Sequence, residues 1–262
     1  MNNKNMFLWF TFSCLGLLVL LAFGSWLAVM MFYSTHDEVL AKVSHEKTPD
    51  VGAYPVYAPT FDTQLGEVRA GKAFLGKEPR TNTVYLLSAH HLLGEAGGLP
   101  RELAWHEVPE QVRSVRCASD DPTFEPLTFH EVIPIEGARK MDMNSCTQDL
   151  LVFRASEDLA PQALPFRTEP IGVDEPVWLY SSVSNDEKTL HLAVVTDVTE
   201  DWLEYVYLED LDLTATSGAP VVDKEGRLVA INLGGYALGG LRGLGNPVSA
   251  VRNNLARATQ GK

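Results

Sequence analysis

Residues 214–232, TATSGAPVVDKEGRLVAIN, contain the pattern that decides the fold. Small residues surround Ser217, and Pro220 begins a short apolar run that is followed by a tight turn and a second apolar run. Small neighbours let a hydroxyl and nearby backbone N–H groups face outward together, as the stabilisation of a developing oxyanion requires. A plain β-hairpin with a serine in its loop is the alternative interpretation.

Two earlier segments carry further candidate residues. Residues 85–93, YLLSAHHLL, form an apolar run that ends at small residues and is followed by His90 and His91. Residues 148–153, QDLLVF, place Asp149 directly before another apolar run. Each segment alone is weak evidence. For Asp149 in particular, an aspartate before an apolar run usually marks only the start of a strand.

The other apolar runs in the last two hundred residues are short and rich in β-branched and aromatic residues, which is typical of strands. We predict strands at residues 83–88, 112–117, 127–135, 150–153, 177–182, 190–195, 203–208 and 228–233. Many short strands with little helix predict an all-β sandwich or barrel. Residues 248–258 follow Pro247 and have apolar residues at helical spacing, which predicts a C-terminal helix.

Residues 6–33 are an uncharged run, which as a helix would be about 42 Å long against a hydrocarbon core of about 30 Å. The run predicts an N-terminal transmembrane helix, a signal anchor in the lipid bilayer. A cleaved signal peptide is the alternative, although this run is longer than the usual apolar part of one. Lys4 precedes the run and Asp37 and Glu38 follow it, so we expect residues 1–5 in the cytoplasm and the rest of this single-pass chain in the periplasm or outside the cell.

The chain has 262 residues with 21 Lys and Arg and 34 Asp and Glu, a net charge of −13. Residues 1–33 contain one charged residue, Lys4, so the part beyond the anchor has 34 acidic and 20 basic residues, or −14. This acidity argues against nucleic acid as the main partner, because phosphates would be repelled.

Residues 34–63 begin with charged residues and then contain Pro49, Pro55 and Pro59, which predicts a stalk and an extended linker. The remaining residues, 64–262, have the size of one all-β domain. Their His, Cys and carboxylate residues show no metal-ligand spacing, so we expect no metal and no cofactor.

The motifs resemble those of the trypsin-like (chymotrypsin-fold) serine peptidases, nearest the bacterial Deg/HtrA-type branch. Residues 87–91, LSAHH, are similar to LTAAH, residues 149–152, DLLV, to D-[IL]-A-[LV], and residues 217–222, SGAPVV, to S-G-G-P-[LV]-[VL]. Residues 244–251 resemble the stretch before the terminal helix of that branch. The resemblance covers about residues 66–258 and implies an all-β, two-barrel fold with a C-terminal helix. Since the sequence ends at residue 262, we expect no PDZ domain.

The resemblance also implies the role of each site residue. Ser217 would be the nucleophile, His91 the general base and acid, and Asp149 the orienting carboxylate. His90 then stands where the family has alanine. Other candidate acids lack an apolar strand directly after them; these are Asp120, Asp121 and Asp142.

The oxyanion hole of the family is formed by backbone N–H groups, here those of Ala215 and Ser217. The family commonly has glycine where Ala215 and Ala219 stand, and each methyl group narrows the accessible backbone conformations. Loss of one oxyanion donor costs a factor of about 10²–10³ in rate.

Residues for substrate binding follow from the same resemblance. Leu211 would lie at the floor of the primary pocket, which implies an apolar or small residue before the scissile bond. Asn232, Leu233 and Gly234 resemble the strand that pairs with a bound peptide. The resemblance also implies a homo-oligomer, because members of the Deg/HtrA-type branch commonly form trimers.

Cys14, Cys117 and Cys146 are too few for a dense disulfide framework. Outside the cytoplasm, Cys117 and Cys146 are candidates for one disulfide, worth about 3.6 kcal/mol in the chain-entropy model. Two free thiols are the equal alternative.

Together these features predict a membrane-anchored serine endopeptidase that acts on proteins or peptides outside the cytoplasm, through a Ser-His-Asp triad and an acyl-enzyme. The alternative is a catalytically silent peptidase-fold module that binds a protein partner at the membrane. The substitutions at Ala215 and Ala219 and the bulky His90 favour that alternative, whereas the three retained triad residues oppose it.

Overall fold

The computed structural model describes residues 23–25, 41, 43, 45–237 and 241–260. The chain divides into two compact units, Met1–Lys42 and Val43–Lys262. Most of the expected anchor, residues 6–33, lies outside the described residues. Within the described ranges, no helix is both long and apolar enough to cross a bilayer.

All strands that the structure describes lie in the second unit. They are β1 (Val56–Thr63), β2 (Gly66–Arg69), β3 (Ala73–Lys77), β4 (Val84–Ser88), β5 (Val112–Ser119), β6 (Leu127–Phe129), β7 (Leu151–Arg154), β8 (Leu164–Pro165), β9 (Pro176–Tyr180), β10 (Leu190–Val198), β11 (Leu203–Tyr207), β12 (Pro220–Val222), β13 (Leu228–Ala237) and β14 (Leu241–Pro247). Short 3₁₀ turns cover His90–Leu93, Glu95–Gly97 and Glu157–Gln162, and α-helices cover Val108–Gln111 and Val248–Gln260. The predicted all-β class and the C-terminal helix are confirmed.

Strands β1 to β8 form an open sheet in the order β6-β5-β1-β3-β4-β7, with β2 paired to β1 and β8 to β3. Its two edges approach through a single bridge between Val132 and Phe153. The strand predicted at 127–135 ends at Phe129, and Pro134 has no N–H to continue the ladder beyond the bridge. The first of the two predicted barrels is therefore a half-barrel.

Strands β9 to β14 close into a barrel in the order β10-β11-β14-β13-β12-β9. Tyr205 is fully buried in its interior. A Cβ atom at Gly243 would lie 2.1 Å from the Tyr205 ring, so only glycine leaves room for the tyrosine. The C-terminal helix buries Val251 and Leu255 in the core shared with the first sheet.

The expected linker, residues 34–63, is wrong at its C-terminal end. Residues 56–63 are strand β1, which pairs with both β3 and β5. Tyr57, Pro59 and Phe61 alternate toward the core, and this period of two is the strand signal that the prolines concealed. Pro59 faces the interior opposite Cys117.

Of the two alternatives for Cys117 and Cys146, the structure has two buried free thiols and no disulfide between them. Cys117 lies on β5 opposite Leu127. The Cys146 thiol instead donates to the carbonyl oxygens of Asp201, at 2.9 Å, and Gly245, at 3.2 Å, in the second barrel. Burial raises the pKa of each thiol to about 12.

Candidate active site

The pairing of β4 with β7 brings a histidine and an aspartate together. The two strands are antiparallel, with Ser88 opposite Leu151. Residues that follow β4 therefore lie beside residues that precede β7 at one edge of the sheet. His91 follows β4 by three positions, and Asp149 precedes β7 by two.

Asp149 holds His91 at two atoms. Nδ1 of His91 lies 2.7 Å from Oδ2 of Asp149, and the His91 backbone N–H donates to Oδ1 at 2.9 Å. The backbone N–H of Met141 also donates to Oδ2, at 3.0 Å. The aspartate is fully buried and the histidine is 7% exposed. Because a carboxylate accepts at Nδ1, that nitrogen carries the proton, and Nε2 keeps its lone pair.

His90 has a different environment. Its Nε2 is 2.8 Å from the carbonyl oxygen of Leu103, and the residue is 1% exposed. Burial is the main cause that lowers the pKa of His90. The histidine bound to Asp149 is thus His91. The other candidate acids are exposed: Asp121 and Asp142 accept from neighbouring loop N–H groups, and Asp120 accepts from the Ser182 hydroxyl.

A network of hydrogen bonds fixes the turn that carries Ser217. The Gly218 N–H donates to the Asn232 carbonyl at 2.7 Å, and the Ala219 N–H donates to the Thr216 carbonyl at 3.0 Å. The Asn232 side chain donates to both oxygens of Thr216 and accepts from the Tyr205 hydroxyl at 2.7 Å. Asn232 is fully buried, so its side chain braces the serine turn.

Close backbone contacts set this turn against the first sheet. The Lys72 N–H donates to the Ser217 carbonyl at 2.7 Å. Gly218 has a φ of +88°, and a Cβ atom there would lie 2.2 Å from the Lys72 carbonyl oxygen and 2.8 Å from Oγ of Ser88. Only glycine permits this approach, which places Ser217 beside the segment that leads to His91.

The Ser217 hydroxyl donates to the carbonyl oxygen of Leu233 at 3.1 Å. It makes no hydrogen bond to His91 in the described structure. Catalytic hydrogen bonds are often formed only when substrate is present.

The backbone N–H groups of Ala215 and Ser217 donate to no acceptor within the described chain. Those of Thr216, Gly218 and Ala219 are all bonded. Ala215 has a φ of +63° and is exposed, whereas Ala219 has no positive φ and is fully buried. Of the two alanines, only Ala215 is in a conformation that favours glycine.

The four residues expected to bind substrate differ in their distance from Ser217 and in their burial. Leu233 lies next to Ser217 through its carbonyl, and Gly234 has a φ of +143° where the β13–β14 register shifts. Leu211 is buried in the core of the second barrel, and Asn232 lies behind the serine turn. Roles in substrate binding remain predictions for all four.

Three side chains that no sequence motif predicts lie close enough together to share one metal ion. Asp186, His191 and Glu209 offer ligand atoms within 4.8 Å of one another. Their separations along the chain, five and 18 residues, match no simple metal motif. The only sequence signal was the polar turn at residues 184–187, which the fold brings beside the segment after β11.

A family model described as "Trypsin-like peptidase domain" matches residues 73–231, more than half of the chain. Solved structures with a similar fold include the serine endoprotease from Yersinia pestis, with 13% identity and a TM-score of 0.54 over 83% of this chain and 65% of that one. The thermostable serine protease AL20 from an extremophilic microorganism has 14% identity and a TM-score of 0.54 over 81% of this chain and 100% of that one. The HtrA-type protease AlgW has 16% identity and a TM-score of 0.51 over 84% of this chain and 63% of that one.

A search of curated proteins finds no match. The chain spans less than two thirds of the length of the Yersinia and AlgW structures. At these identities the solved structures show the fold alone, whereas the family model covers the segments of all three motifs. The chain therefore belongs to the trypsin-like peptidase domain family of serine peptidases, as its motifs predict.

Proposed function

We propose that this chain is a serine endopeptidase that hydrolyses peptide bonds in proteins through Ser217, His91 and Asp149. The observation that carries the proposal is the buried Asp149–His91 pair at 2.7 Å. It lies beside a serine turn whose two outward backbone N–H groups, at Ala215 and Ser217, are free to bind an oxyanion.

In this mechanism the Ser217 hydroxyl turns from Leu233 toward Nε2 of His91. Nε2 takes the proton while Oγ attacks the scissile carbonyl, and the N–H groups of Ala215 and Ser217 stabilise the oxygen that becomes negative. Asp149 keeps the ring in place and stabilises the imidazolium. His91 then gives the proton to the leaving amine, and water releases the acyl-enzyme by the same steps.

The membrane location is part of the proposal and rests on the uncharged run at residues 6–33. Residues 1–5 would lie in the cytoplasm and the peptidase domain outside it, in the periplasm or outside the cell, where proteins or peptides are its substrates. Extraction of membranes at alkaline pH tests the anchor: the full chain stays in the membrane fraction, and a variant without residues 1–33 is released.

Labelling with a fluorophosphonate probe at neutral pH tests the catalytic site. We expect the wild type to be labelled and the Ser217→Ala variant to remain unlabelled. His91→Ala should lose labelling as well, because the serine is then without its base. A His91→Ala variant that is labelled at the wild-type rate would contradict the assigned base.

The second candidate function is a catalytically silent module that binds a protein partner at the membrane. The hydrogen bond from Ser217 to Leu233, in place of one to His91, is the observation that favours it. Absence of labelling in a folded wild type, together with retained binding of a partner protein, would support this function over peptidase activity.

A further inference from the structure

His191 lies on β10 with 1% of its side chain exposed. Its Nε2 is 3.0 Å from the carbonyl oxygen of Ser181. A carbonyl only accepts hydrogen bonds, so Nε2 carries the proton and Nδ1 has a lone pair. Nδ1 is buried and has no hydrogen-bond partner. A buried acceptor without a donor is costly and needs an explanation.

The unpaired Nδ1 faces carboxylate oxygens. Oδ2 of Asp186 lies 3.6 Å from it, too far for a hydrogen bond. With a carboxylate oxygen of Glu209, these atoms form a group in which all ligand atoms lie within 4.8 Å of one another. In a tetrahedral zinc site with bonds of about 2.0–2.2 Å, ligand atoms are about 3.3–3.5 Å apart. The separation of Nδ1 and Oδ2 is therefore close to what one shared ion requires.

Supporting hydrogen bonds already orient two of these ligands. The backbone N–H of Lys188 donates to Oδ1 of Asp186 at 3.0 Å, which leaves Oδ2 for a ligand bond. The Ser181 carbonyl fixes the ring of His191 through its far nitrogen. A histidine whose second nitrogen donates to a backbone carbonyl is the usual arrangement for a metal ligand.

We propose that Asp186, His191 and Glu209 bind one Zn²⁺ ion, with water as the fourth ligand. One imidazole with two carboxylates suits zinc, whereas magnesium and calcium prefer sites built from oxygen alone. None of the three residues takes part in the proposed peptidase mechanism, so the zinc site is separate from the catalytic residues.

Lys188 is the competitor of the ion. Its ammonium lies 2.7 Å from Oε1 of Glu209 and 3.9 Å from Oδ2 of Asp186. It balances the carboxylates without metal and must move away when zinc binds. Its side chain is 61% exposed, so it can turn into solvent. Removal of this positive charge should therefore strengthen zinc binding.

The ion would brace the loop that leads to the serine turn. The Asn185 side chain already donates to the Asp210 carbonyl at 2.9 Å and accepts from the Asp212 N–H at 2.8 Å. The hydrogen bonds of Asn185 join two segments of the chain. Asp186 is next to Asn185 in the first segment, and Glu209 is next to Asp210 in the second. Zinc would add a stronger connection to these hydrogen bonds, so binding should slow amide hydrogen exchange at residues 209–213.

Calorimetric titration of the metal-free, full-length chain in detergent with Zn²⁺ tests the proposal. We expect one site, with affinity reduced at least tenfold in Asp186→Asn and in Glu209→Gln, and lost in His191→Gln. Glu187→Gln is the matched control, since it removes a neighbouring carboxylate outside the cluster and should bind zinc as the wild type does. Lys188→Gln should bind zinc more tightly than the wild type.

Unchanged affinity in the Asp186→Asn, Glu209→Gln double variant would overturn the proposal, as would the absence of zinc binding by the wild type. The two carboxylate variants carry the test if His191→Gln fails to fold, because neither carboxylate is buried. Absorption of bound Co²⁺ gives an independent readout of coordination, and both measurements can be made in a Ser217→Ala chain that has no peptidase activity.

Discussion

Asp149 binds both the ring and the backbone of His91, with Oδ2 2.7 Å from Nδ1 and Oδ1 accepting the N–H at 2.9 Å. The two oxygens of one carboxylate thus fix the position of the residue and the tautomer of its ring. This is possible because β4 and β7 are neighbours, so that the connection after one strand meets the connection before the other.

Asp149→Asn should lower kcat by about 10⁴-fold, the size of effect found when the aspartate of a catalytic triad becomes an amide. An amide can turn its NH₂ group toward Nδ1, which favours the tautomer with the proton on Nε2, where the serine proton must go. Hydrolysis of a peptide substrate measures the change in kcat, and the melting temperature checks that the variant is folded. Asp142→Asn is the control, because that carboxylate is exposed, binds loop N–H groups and Arg139, and does not contact the histidine. An equal loss in both variants would contradict the role of Asp149.

His90 should make the stability of the protein depend on pH. Burial lowers the pKa of His90 in the folded chain, against the opposing effects of the Leu103 carbonyl, Asp149 and Glu102. The unfolded chain then binds more protons below about pH 6.5, so stability falls as the pH decreases from about 7.5 to 5.5. Melting temperatures across this range measure the fall.

His90→Gln is the control for that measurement, because glutamine can still donate to the Leu103 carbonyl but does not titrate. We expect its melting temperature to fall less over the same range, and its peptidase rate to stay within about threefold of the wild type. A parallel fall in both proteins would assign the pH dependence to other groups.

The three motifs and the family resemblance that they carry predicted the site residues, and the structure brings two of them, His91 and Asp149, into contact. The segments around His91, Asp149 and Ser217 are short, and each lies at a strand end that propensity alone can locate. Ala215 was a predicted departure from the family pattern, but its positive φ could not be read from the sequence. The hydrogen bond from Ser217 to Leu233 is likewise a property of the folded chain.

Contacts between distant segments account for what the sequence did not predict. Cys117 and Cys146 were candidates for one disulfide, but the Cys146 thiol donates to the carbonyl oxygens of Asp201 and Gly245, 55 and 99 residues later. Leu211 was assigned to the primary pocket by the family resemblance; the structure buries it in the core of the second barrel, and its role in substrate binding stays a prediction. Strand β1 was concealed because Pro59 within it and Pro55 just before it are equally typical of a linker.

The two buried thiols should be inert in the folded protein. Burial raises the pKa of Cys117 and Cys146 to about 12, so very little thiolate is present at pH 8. In a Cys14→Ser chain, we expect a thiol reagent to modify neither cysteine until the protein is denatured. A reducing agent should leave the melting temperature unchanged, and a decrease on reduction would indicate that a disulfide does form.

Ala215 and Ala219 should respond in opposite ways to replacement by glycine, although the family has glycine at both positions. At Ala215, φ is +63°, a conformation that costs a residue with a Cβ atom about 1–2 kcal/mol. Glycine removes that cost but adds about 0.4–1 kcal/mol of chain entropy in the unfolded state. We therefore expect the free energy of unfolding of Ala215→Gly to match or exceed the wild-type value, with kcat no lower.

At Ala219 there is no positive φ for glycine to relieve, and the methyl group is fully buried in the second barrel. Ala219→Gly loses this burial, about 0.8 kcal/mol for one carbon, and adds the same chain entropy, so unfolding should become easier by about 1–2 kcal/mol. Urea denaturation of the two variants measures the difference. If both lost stability equally, the backbone at Ala215 would not be strained. If kcat fell in Ala215→Gly alone, the alanine would be needed to hold its N–H toward the oxyanion.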